Sequence, residues 1–225
     1  MSIDIIIQAR YSSTRLPGKI LLNFSNESFL SFFIKNLKKT KQVSKIILAC
    51  PRDEYAEYFN FFCRKLKIYF FSLEGNENDV LNRYFYCAKK FSSKNIIRVT
   101  SDCPFINPLI ISQMIKFYKK NRLNLLTNNK PRFIPHGFDC EIFSFGLLKK
   151  AFLLANSKYD REHVTPWMYN NFFKKKNYIQ IFDKDYSKLR LTLDTIKDYV
   201  YFINNDKILK NIATKKKINL FLNKL

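Results

Sequence analysis

Three cations, Arg10, Arg15 and Lys19, stand within ten residues of one another in the stretch QARYSSTRLPGK, with Ser12, Ser13 and Thr14 among them and Pro17-Gly18 near its end. If such a loop folds back on itself, each close pair of like charges costs about 1 kcal/mol in water and several times that in a drier cleft. A polyphosphate reverses the sign of that energy. Small hydroxyl residues let backbone N–H groups approach phosphate oxygens, Pro-Gly supports a turn, and Lys19 offers a movable point charge beside the forked donors of Arg10 and Arg15. The stretch is neither a GxxxxGK[ST] loop nor GxGxxG. A charged surface turn paired with nearby acids is the plainer alternative.

Asp102, in IIRVTSDCPFINP, and Asp194, closing LRLTLD, both follow short apolar runs. Magnesium takes hard oxygen ligands and needs only one or two carboxylates, with phosphate and water filling the rest. Two aspartates at strand ends therefore suggest a Mg2+ site, although either alone serves equally well as a helix cap or turn residue. Asp79, in EGNENDVLNRY, suits a helix N-terminus, and Arg83 follows one turn later, where it would face the same cleft. HGFDCE and DREHVTPW bring His136, Asp139, Glu141, Arg161, Glu162 and His163 into two short segments. No HExxH-type spacing appears, so a polar pocket for a hydroxyl-rich substrate, or pairing with Arg132 and Arg161, is expected ahead of a metal centre.

Elements must hold these residues together. Compact apolar runs at 3–9, 45–49, 68–71 and 95–100 predict buried strands, and helical spacing at 28–39, 54–65 and 79–91 predicts the helices between them. That alternation implies an α/β fold with a mostly parallel sheet and helices on both faces. Its ligands bind beyond the carboxyl ends of the strands, where QARYSSTRLPGK and Ser101-Asp102 fall. Further on, 123–127, 138–143 and 189–193 predict strands, 146–156 and 162–173 predict helices, and NNKPRFIPHGFDC reads as a loop. No repeat or linker divides the chain, so one domain over 1–225 is expected, with an edge subregion at about 130–186.

Composition narrows the function. The chain has 225 residues, 47% hydrophobic, enough for one sizeable core. Residues 1–10 lack a charged leader before a long apolar stretch, and no run is long enough to cross a membrane. A soluble cytoplasmic protein is expected. Five cysteines without a CxxC pair suggest neither a disulfide framework nor a thiolate metal site; Cys103 stands out only because it adjoins Asp102. The net charge of +22 invites a nucleic-acid reading. However, the lysines are spread along the whole chain, in a background rich in Asn, Ile and Phe that suits an AT-rich genome. A nucleic-acid partner is therefore the minor alternative.

Taken together, QARYSSTRLPGK, EGNENDVLNRY, VTSDCPFI and GFDCEIFS with REHVTP resemble the cytidylyltransferase family that includes the CMP-sialic acid and CMP-Kdo synthetases, most of all its spore-coat-polysaccharide SpsF branch. The resemblance runs from about residue 3 to residue 199. It implies a three-layer α/β/α, Rossmann-like nucleotide-diphospho-sugar transferase fold with a mostly parallel, mixed sheet, a homodimer, and transfer of CMP from CTP to a sugar, such as a nonulosonic or Kdo-type acid. It further implies that Arg10, Lys19 and Asp102 act directly in catalysis, and that Gln8, Ala9, Arg10, Arg15, Lys19, Asp79, Arg83, Ser101 and Asp102 contact the nucleotide. Asp102 and Asp194 would hold Mg2+, and Asp139, Glu141, Arg161, Glu162 and His163 would face the sugar. A glycosyltransferase using a ready-made nucleotide sugar on the same fold is the alternative enzyme reading.

Overall fold

Side chains alternate across the first strand as a period of two demands. Ile5 and Ile7 of β1 (Asp4–Gln8) enter one buried cluster and Ile6 the other. A computed structural model describes residues 2–225. A two-stranded hairpin, β2 (Asn23–Phe24) with β3 (Glu27–Ser28), follows the first loop. β4 (Lys45–Pro51) and β6 (Asn95–Thr100) flank β1 in parallel, and β5 (Tyr69–Leu73) joins β4 in parallel. β7 (Leu125–Thr127) and β8 (Glu141–Ser144) complete a six-stranded mixed sheet in the order β5-β4-β1-β6-β8-β7, with β8 antiparallel to both neighbours. The predicted α/β architecture is the one observed.

Side chains that accept backbone N–H groups start the helices on time. Ser28 caps α1 (Phe29–Leu37), Asp79 caps α3 (Val80–Lys90), and Asn107 with Pro108 opens α4 (Pro108–Lys120). α2 (Ala56–Leu66) lies between the first two. α5 (Phe145–Leu154), α6 (Lys158–His163) and α7 (Pro166–Phe172) follow β8, and α8 (Ile196–Asn204), α9 (Asp206–Thr214) and α10 (Asn219–Leu222) close the chain. Phe33, Phe59, Met114, Phe202 and Leu209 cover one face of the sheet, from α1, α2, α4, α8 and α9. Tyr84, Leu148 and Met168 cover the other, from α3, α5 and α7. No helix among the described residues is long and apolar enough to cross a membrane.

Three expectations are corrected. Residues 189–193 are not a strand of the sheet: they make one bridge, Arg190 to His136, because they run beside the 131–138 loop. The helix expected over 162–173 is split at Val164-Thr165, where Pro166 cannot donate to the preceding turn and instead starts α7. The strand expected from 138 begins only at Glu141, since the Cys140 N–H is taken by the Asn128 side chain at 3.0 Å. Helices α4, α8, α9 and α10 lie outside the elements predicted from the pattern.

Candidate active site

Where β1 ends, the chain turns over the carboxyl edge of the sheet. The Tyr11 carbonyl accepts the N–H groups of Ser13 and Gly18, each at 3.0 Å, and so pins the 11–18 loop at both ends. Gly18 sits at φ 65° in the left-handed region, which glycine enters without penalty. The Tyr11 ring stacks on Tyr55 with centroids 3.7 Å apart. Between these pins, the amides of Ser12, Thr14 and Arg15 make no hydrogen bond among the described residues. They form a ready row of donors.

Lys19 leaves this loop and meets two carboxylates from distant parts of the chain. Its Nζ is 2.7 Å from Asp194 Oδ1 and 3.5 Å from Asp102 Oδ2. The main chain holds the two aspartates together, with the Leu193 N–H donating to the Asp102 carbonyl at 2.8 Å. Arg15 Nη2 lies 3.3 Å from Asp194 Oδ1, and Arg190 Nη2 donates to Oδ2 at 2.6 Å. Burial alone raises the Asp194 pKa, but Lys19, Arg190 and Arg15 outweigh it and hold the carboxyl below its usual 3.8. Asp198 Oδ2 in turn accepts the N–H groups of Asp194 and Thr195, at 2.9 and 2.8 Å.

These groups open on a cleft of about 300 Å³ lined by Gln8, Arg10, Ser13, Thr14, Arg15, Lys19, Arg98, Thr100, Ser101, Asp102, Glu162, His163 and Asp194. No cluster of three or more His, Cys, Asp or Glu suited to a metal occurs among the described residues. Two hard carboxylates beside cations that match phosphate form a donor set that fits Mg2+ completed by substrate oxygens, and does not fit a protein-saturated zinc site. A cavity of about 420 Å³ at the opposite end of the sheet, among Arg122, Lys150, Lys174 and Lys176, is larger. It contains no carboxylate and none of this machinery.

A cytidylyltransferase family model matches residues 5–224 of this chain. The chain belongs to the cytidylyltransferase family. An uncharacterized protein of Methanocaldococcus jannaschii is 34% identical over 92% of this chain and 84% of its own. The spore coat polysaccharide biosynthesis protein SpsF of Bacillus subtilis is 27% identical, over 86% of this chain and 82% of its own. A solved cytidylyltransferase from Leptospira borgpetersenii superposes with a TM-score of 0.81 at 35% identity, covering 90% of this chain and 85% of that one. The protein is thus an enzyme, a CTP-dependent nucleotidyltransferase.

In this cytidylyltransferase, Gln8, Arg10, Arg15, Lys19, Ser101, Asp102, Asp194, Glu162 and His163, all expected site residues, line one cleft. Other expected site residues lie elsewhere. Ala9 is buried in the core, and its N–H donates to the Ala49 carbonyl at 3.1 Å. Asp79 caps α3 and makes a two-point ion pair with Arg161, at 2.9 and 2.6 Å. Arg83 is buried beneath the 77–78 turn and donates to the Glu77 carbonyl at 2.8 Å. That turn meets the loop again, since Arg10 donates to Asn78 at 3.0 Å and Ser12 donates to Glu77. Asp139 is held by Arg132 and Asn129, which keep its pKa low against the opposing effect of burial. Glu141 is buried below the cleft, where Arg98 pairs with it at 2.7 Å and Thr165 and Tyr169 donate to it.

The sequence reading passes over three contributors. Arg98 and Arg190 each lie four residues before an aspartate of the site, and Asp198 completes a Thr195 capping box. Val164 adds an unusual turn. It is buried at φ 72°, in a γ-turn closed by the Thr165 N–H on the His163 carbonyl at 2.8 Å, and it aims the end of α6 at the cleft. Cys103 is a packing residue, because burial, then Asp102, pushes its thiol pKa well up.

Proposed function

We propose that this enzyme transfers CMP from CTP to the hydroxyl of a sugar, with a sugar acid for surface polysaccharide as the substrate class, and releases pyrophosphate. The convergence of Lys19 and Arg15 with Asp102 and Asp194 carries the reading. The acceptor oxygen attacks the α-phosphorus, the bond to the β-phosphate bridge oxygen breaks, and the hydroxyl proton leaves to water. Asp102 and Asp194 would hold a divalent cation, Mg2+ in this reading, which when bound supplies Lewis-acid polarisation of the phosphoryl oxygens. Arg10, Arg15 and Lys19 stabilise the charge that builds on pyrophosphate, and the loop amides orient the phosphates. Glu162 and His163, from the 130–186 edge segment, form the acceptor wall. That segment is also the surface through which we propose two copies pair.

Thermal melting with CTP, UTP, ATP and GTP in the presence of Mg2+ tests the reading without knowledge of the acceptor. At one hundred times its dissociation constant, CTP adds about 2.7 kcal/mol, a rise of roughly 5–11 °C for a chain of this size. Four inert triphosphates would remove the nucleotide from the cleft. In a pyrophosphate-release assay over a sugar-acid panel, Asp102→Asn is expected to lose at least about 100-fold in kcat while melting normally. Release of a nucleoside monophosphate or diphosphate from a nucleotide sugar would instead favour the glycosyltransferase reading.

A further inference from the structure

We propose that the two oxygens of Asp194 have separate duties. Arg190 keeps Oδ2, while Lys19 and Arg15 hold Oδ1 only until a triphosphate draws them off, so that metal ion and nucleotide occupy the cleft as a pair. This rests on the nucleotidyl-transfer reading above.

Oδ1 faces Lys19 at 2.7 Å and Arg15 at 3.3 Å, and the same ammonium reaches Asp102 Oδ2 at 3.5 Å. With Arg190 shared between Oδ2 and Asp198, three carboxylates face three cations. A dication approaching that set alone gains no net attraction and meets like charges within a few ångströms. Phosphate oxygens are the competing acceptors. Lys19 and Arg15 both stand on the phosphate-type loop, and the Arg15 side chain is 62% exposed, against 12% for Lys19, so Arg15 is the freer to move. Once both have turned to phosphate, Oδ1 and Asp102 Oδ2 are left without a cation, and a dication restores the balance.

Arg190 is held from outside the loop. Its Nε is 3.5 Å from Asp198 Oδ1, and the other oxygen of Asp198 grips the Asp194 and Thr195 amides. This bracket fixes Oδ2 whatever the loop does. Arg190 is therefore a positioning residue, acting through Asp194. Because the coupling is reciprocal, the metal must raise CTP affinity by the same factor as CTP raises metal affinity.

Titration of Mn2+ into the full chain, followed by electron paramagnetic resonance with and without CTP and with no acceptor present, tests this. CTP is expected to tighten Mn2+ binding by at least about tenfold. Lys19→Met is expected to bind Mn2+ without CTP about tenfold tighter than the unaltered chain, and Arg15→Gln, at an exposed position, to shift it less in the same direction. Arg190→Gln is expected to lose about tenfold in Mn2+ affinity within the CTP complex. Equal Mn2+ affinity with and without CTP, or no gain in either loop variant, would overturn the exchange. An unaltered Mn2+ affinity in Arg190→Gln would overturn its positioning role. If CTP failed to bind with or without metal, the nucleotidyl-transfer reading would fall first and the exchange with it.

Discussion

Glu141 shows how one residue can hold a site without facing it. Its side chain is 4% exposed and collects Arg98 from β6 and Thr165 and Tyr169 from the N-cap and body of α7. The pair with Arg98 joins β8 to β6, the strand that delivers Asp102, and the two hydroxyls tie in α7. Removal of one partner leaves a buried charge uncompensated, a loss of about 3–5 kcal/mol. Glu141→Ala is therefore expected to lower the melting temperature by at least roughly 6 °C; a shift within a degree of the unaltered protein would show that Arg98 finds water or another acid. Arg98 itself lines the cleft, and burial, which opposes its charge, is outweighed by Glu141, so its pKa stays above the ordinary arginine value. It enters the cleft as a fixed cation.

Among the elements, the 189–193 segment matters most, because it carries Asp194 to Asp102 without joining the sheet. It is held by His136 on one side and by the Asp102 carbonyl on the other. Gly137 permits the approach: at φ 101°, a Cβ there would stand 2.5 Å from the Leu191 carbonyl oxygen. Gly137→Ala must push the segment away. Since a misplacement of about 1 Å can cost about 100-fold, kcat/KM is expected to fall to that extent while the far-ultraviolet circular dichroism spectrum is unchanged; full activity would show that the segment yields without moving Asp194. The same segment marks the limit of what the residues alone revealed. β1, β4, β5 and β6 were legible because each is a short apolar run that the core must bury, and Lys19, Asp102 and Asp194 stood out by a chemistry suited to phosphate and metal and do line one cleft. The Leu-Arg-Leu-Thr-Leu alternation satisfies a strand locally, but its hydrogen-bond partner is a loop, which no local pattern announces. α4 carried signals in Asn107 and Pro108 that could have found it. Asp139 pairs with Arg132, one of the two alternatives its neighbourhood offered, whereas Glu141 looked like a substrate contact because its partner Arg98 is distant in sequence.

For the molecule as a whole, acid reaches the same network. Asp139, Asp194 and Asp198 all have pKa values in the fold below the usual 3.8, because hydrogen bonds and cations outweigh burial. Below that value the unfolded chain binds more protons at these positions than the folded one. Their stabilisation is thus complete above about pH 4 and is lost as pH falls through the lower folded values. Melting temperature is expected to vary little with these groups from pH 7 to 5 and to drop below about pH 4; a fall beginning near pH 6 would point to other groups. The net charge of +22 adds self-repulsion at every pH, and it draws anions. CTP association should slow as salt rises, and stopped-flow rates independent of ionic strength would place the attraction in the local contacts only.

The backbone bond from Leu193 to Asp102 also has a consequence for synthesis. A ribosome makes the chain from its N-terminus, and folding follows that order. The 10–19 loop is complete by Lys19, and β1, β4, β5 and β6 can pair once Thr100 is made, yet the second aspartate arrives only with residue 194. Between about residue 100 and residue 194 the growing chain can pair its four parallel strands and carries the loop cations but lacks one of the two aspartates proposed to hold the metal, so on the proposed mechanism a message broken before that codon yields an inert product.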